Sequence, residues 1–126
     1  MMPSYRFTGA TFALGCRSTN AHTPVMVSTA SGQNDQQNYA AFLNPASTGV
    51  VCVILTSGQS SSGTVTAFPT DGTPTSEKTF VLPPGMIAPI VVATPGVGPQ
   101  GGFWCSGISN LVGTTTIFVT PCSSQS

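Results

Sequence analysis

Thr114-Thr115-Thr116-Ile117-Phe118-Val119-Thr120 sets Ile117 and Val119 on one side of an extended chain and Thr116, Phe118 and Thr120 on the other. Successive strand residues face opposite ways, so this stretch reads as a strand with one buried and one wet face, the pattern of an antiparallel sheet. Gly63–Phe68 repeats the pattern, with Val65 and Ala67 opposed to Thr64 and Thr66. Val50–Leu55 is apolar on both faces. Val51, Val53 and Leu55 can enter a core, which leaves Val50, Cys52 and Ile54 in need of cover from a loop, a terminus or another subunit.

Further strand signals punctuated by Gly, Pro, Asn and Ser lie at Tyr5–Leu14 (with a break at Gly9), Thr23–Thr29, Asn38–Leu43, Lys78–Leu82, Met86–Ala93 and Phe103–Ser109. Pro89 cannot donate to a ladder, so Met86–Ala93 is expected at a sheet edge. One segment, Gln33–Ala41, is compatible with a turn of helix. The sum is an all-β chain: an antiparallel β-sandwich or jelly roll of about eight or nine short strands. Residues 1–126 read as a single domain, with an extended N-terminal arm (1–7) and a frayed tail (123–126).

Composition narrows the function. The only charged residues are Arg6, Arg17, Asp35, Asp71, Glu77 and Lys78, which is 5% of the chain against about 25% in an average domain. Fifteen Ser and 18 Thr supply the polarity instead. Three scattered basic residues cannot neutralise a run of phosphates, so neither nucleic acid nor an anionic membrane is an expected partner. A zero net charge favours self-association.

Candidate chemistry is sparse. His22, the sole histidine, reads as a loop residue beside Pro24. Asp35 and Asp71 read as turn residues, and Glu77 neighbours Lys78. The cysteines at 16, 52, 105 and 122 have no metal-ligand spacing and read as small buried hydrophobes. No catalytic residue, cofactor or metal site is expected, and the chain is read as a non-enzyme. Ala13-Leu14-Gly15-Cys16 imitates the end of a lipoprotein signal, but Thr8, Gly9 and Thr11 interrupt the apolar run before it. No signal peptide is expected, and the thiols are expected to be free.

Phe42-Leu43-Asn44-Pro45-Ala46-Ser47-Thr48-Gly49-Val50-Val51-Cys52-Val53-Ile54 resembles the NPAGSG turn and following apolar strand of small virion proteins of tailed bacteriophages. These include jelly-roll capsid decoration (cement) proteins and related head or tail accessory proteins. Val81-Leu82-Pro83-Pro84-Gly85-Met86 resembles the LPPG turn those chains place before a later strand. Here Ser47-Thr48-Gly49 stands where that pattern has Gly-Ser-Gly. Pro45 holds Asn44 extended, and Gly49 is free to take a positive φ and launch the strand.

The resemblance implies a structural protein of the virion, assembled in the host cytoplasm, that contacts the major capsid protein and copies of itself. Tyr5, Phe7, Val50, Cys52 and Ile54 are the candidate contacts, with Pro95, Val97 and Pro99 in the loop 94–102. Two other readings compete: a tail or adaptor protein of the virion, and a carbohydrate-binding or fibre-head sandwich. In the latter Phe103 and Trp104 would form the sugar platform.

Overall fold

The computed structural model describes residues 5–7, 9–29, 39–58, 67–73, 79–93 and 102–124. The described residues form nine strands and no helix: β1 (Tyr5–Phe7), β2 (Phe12–Cys16), β3 (Val25–Thr29), β4 (Tyr39–Leu43), β5 (Val51–Gly58), β6 (Thr79–Leu82), β7 (Ile90–Ala93), β8 (Gly102–Ser109) and β9 (Thr115–Ser124). All pairings are antiparallel. β5 pairs with β6, β4 with β7, β3 with β8, and β2 and β1 in tandem with β9. The chain is thus one long ribbon doubled back at the β5–β6 connection. Rolling the ribbon sets β9 beside β4 and β8 beside β5. The result is sheet A, ordered β1/β2–β9–β4–β7, and sheet B, ordered β3–β8–β5–β6. This nested wiring is that of a jelly roll.

The core lies between the sheets. Leu14, Phe42, Ile117 and Val119 from sheet A meet Val51, Val53, Leu55 and Leu82 from sheet B. The Phe42 and Phe80 rings meet edge to face, with centroids 5.1 Å apart, an arrangement favoured by ring quadrupoles. Alternation in the TTTIFVT stretch is as expected: Ile117 and Val119 are buried, Thr116 and Phe118 exposed.

Several elements differ from the sequence reading. Tyr39, Ala40 and Ala41 belong to β4 rather than to a helical turn, because Ala40 is needed in the core between Pro121 and Val92. Residues 33–38 lie outside the described residues. Ala67 and Phe68 are not in a strand, and 63–66 also lie outside the described residues. The expected arm is stitched down at its end, with Tyr5–Phe7 paired to Cys122–Ser124, and the same pairing carries the expected frayed tail as strand through Ser124. The edge position foreseen for Met86–Ala93 holds. The strand itself begins only at Ile90, after Pro89.

Candidate assembly surface

Four connections meet at one end of the sandwich: 17–24, 44–50, 83–89 and 110–114. Backbone hydrogen bonds knit them together. Ser18 N–H donates to Leu111 O (2.9 Å), Asn110 N–H to Val50 O (3.0 Å) and Gly85 N–H to Ala46 O (2.7 Å). Arg17 Nε adds a bond to Thr114 Oγ1 at 2.9 Å. Asn44 is the buried keystone. Its Nδ2 donates to Gly49 O (3.0 Å) and Leu82 O (3.3 Å), and its Oδ1 accepts from Ala46 N–H (3.3 Å). Gly49 has φ +96°, and a Cβ there would collide with Thr115 Oγ1. The turn after Asn44 therefore requires glycine for both conformation and space.

This tied-down end carries apolar tips. Ile87 is 99% exposed and Val112 75% exposed, with Leu111 beside it. The outer face of sheet A continues the same character. Phe118 is 38% exposed and stands in register between Ala13 and Leu43. Hydroxyls frame it: Thr116 is exposed, and Thr11 Oγ1 and Thr120 Oγ1 share a hydrogen bond of 2.7 Å. Phe7, 68% exposed, lies further along the sheet. None of β2, β4, β7 or β9 contains a charged residue. Such a surface can be dehydrated with little electrostatic cost.

The sequence-derived contacts fare unequally. Phe7 is exposed and Val50 half-buried, its N–H donating to Asn110 Oδ1 at 2.8 Å. Cys52 and Ile54 require correction. Both are buried beneath the chain's own Ala21 and Phe68, so neither is available to a neighbour. Pro95, Val97 and Pro99 lie outside the described residues, as do the side chains of Tyr5 and Phe103. Trp104 is half-buried on the outer side of sheet B, aligned with Met26 and Thr56, rather than in the main core. Sequence reasoning missed Ile87 and Val112. Ile87 sits in an apolar run that reads as strand, and Val112 in a short polar-flanked turn; only the exposure of apolar residues in turns marks them.

His22 Nδ1 lies 2.7 Å from Thr23 O, and its backbone N–H donates to Gly107 O at 2.9 Å. All four cysteines are buried and unpaired. Burial pushes the thiols of Cys16 and Cys105 up to about 12, and raises those of Cys52 and Cys122. Among the described residues no three His, Cys, Asp or Glu side chains stand close enough to hold a metal ion, and no helix is long and apolar enough to cross a membrane. No family model, curated protein or solved structure matches this chain.

Proposed function

We propose that this chain is a non-enzymatic structural protein of a bacteriophage virion, a capsid decoration or cement protein held by neutral, apolar contacts to the major capsid protein and to copies of itself. The observation that carries the reading is the outer face of sheet A across β2, β9, β4 and β7, strands without a charged residue, continuous in character with the tied-down loop end that exposes Ile87 and Val112. Rigid placement matters because ordering a contact loop on binding costs free energy, and here that ordering is already built in. Tying the loops to one another also keeps the apolar tips from folding back onto the sandwich.

A specific contact typically buries about 800 Å² per partner, and repetition around a shell multiplies weak contacts by avidity. With so few charges, binding should be indifferent to screening. The test is co-sedimentation with empty capsid shells of the source phage at ~0.1 M and ~1 M NaCl. Equal pelleting at both is expected; release at molar salt would refute the mechanism. The sugar-binding alternative keeps Trp104 as its platform, half-buried on the outer side of sheet B rather than in the core; strong protection of its fluorescence from acrylamide would remove that platform.

A further inference from the structure

β5 and β6 are hydrogen-bonded antiparallel neighbours, and of the residues between them the structure describes 67–73. This segment contains a turn closed by Thr73 N–H donating to Thr70 O at 3.1 Å. It brings Phe68 onto the outer face of sheet B.

There Phe68 and Ala21 roof a second cluster, Cys52, Ile54 and Ile108. The register sets Cys52 directly opposite Ile108, and all three are buried. The thickness of sheet B separates them from the main core, which holds Cys16 and Cys105. Phe68 and Ala21 are themselves only half-buried, so the roof is one side chain deep. A satellite cluster covered in this way can open while the sandwich stays closed.

We propose that residues 67–73 are a releasable strap, which lifts from sheet B as a local event and uncovers the apolar strip Cys52, Ile54 and Ile108. The face has its occupant in the resting molecule, the chain's own Phe68, held there by a cover one side chain deep. The inference is independent of the virion reading and is tested on the isolated, full chain.

Cysteine position makes the test internal. Pulse alkylation followed by peptide mass mapping reads each thiol, expressed as protection relative to the urea-unfolded chain. Cys52 is expected to be at least about tenfold less protected than Cys16 and Cys105. Its rate should stay nearly flat in low urea, because a local opening exposes little surface. Phe68→Ala should speed Cys52 labelling by about tenfold or more, the loss of part of a buried aromatic contact, with Cys16 and Cys105 unchanged. Phe68→Leu should restore most of the protection. The strap is overturned if Cys52 of the unmodified protein gains reactivity only in step with Cys16 and Cys105 as urea rises, or if Phe68→Ala leaves Cys52 unchanged. The urea series on the unmodified protein decides the matter even if Phe68→Ala fails to fold.

Discussion

Asn44 shows how much one polar side chain can determine. Its side-chain amide donates to the carbonyls of Gly49 and Leu82 and accepts from Ala46 N–H, while its backbone carbonyl accepts from Met86 N–H at 3.0 Å. It thereby fixes the 44–50 turn and the start of the 83–89 connection together. Asn44→Leu matches the volume but strands two buried carbonyls, so a loss of roughly 2–4 kcal/mol is expected. Urea unfolding measures it, as a lower midpoint with an unchanged slope. The Asn-Pro turn and the positive φ of Gly49 were readable in the sequence, because proline and glycine act locally. The amide's partner Leu82 was not, since 38 residues separate the two.

Among the elements, two sheet edges are interrupted: β3 shifts register between Met26 and Ser28, and β1 and β2 are separate pieces along one side of β9. Such interruptions disfavour strand addition. Phe118, on the outer face of β9, separates folding from assembly. Phe118→Thr, which keeps a strand-favouring side chain like those of Thr116 and Thr120, is expected to cost no more than about 1 kcal/mol of unfolding free energy, while weakening pelleting with shells. A thermal melt and the co-sedimentation assay report the two effects independently. Alternation made β9 legible, and Pro89 foretold the edge position of β7. At Tyr39–Ala41 the pull of the sequence toward a helical turn was misleading because β4 is chosen by its neighbours β7 and β9, not by local propensity.

Over the whole molecule, the two sheets close on thiols that ionise only with difficulty. Cys16 and Cys105 sit in the shared core with values pushed from 9.0 up to about 12 by burial. Their neutral forms favour the fold at full strength below pH 9. As pH rises from about 9 to 12 the unfolded chain has released these protons and the folded chain has not. Stability should then fall by up to about 1.4 kcal/mol per pH unit per thiol. Urea midpoints across pH 8–11 check the slope, and replacing Cys105 with Ala should reduce it. A flat profile would contradict the burial of both groups.

By itself the sequence determined the class of fold and the character of the surface. Alternation in strands, glycine and proline in turns, and the near absence of charge are local properties that survive in any arrangement. Only the tertiary structure decided which apolar residues meet water. Val50–Ile54 reads as two-faced, but the chain's own Phe68 and Ala21 pack over Cys52 and Ile54 on the outer side of sheet B. Ile87 and Val112 look like buried residues until the turns place them at the end of the sandwich. Burial depends on contacts between segments distant in the chain, and periodicity carries no information about which loop returns over which face.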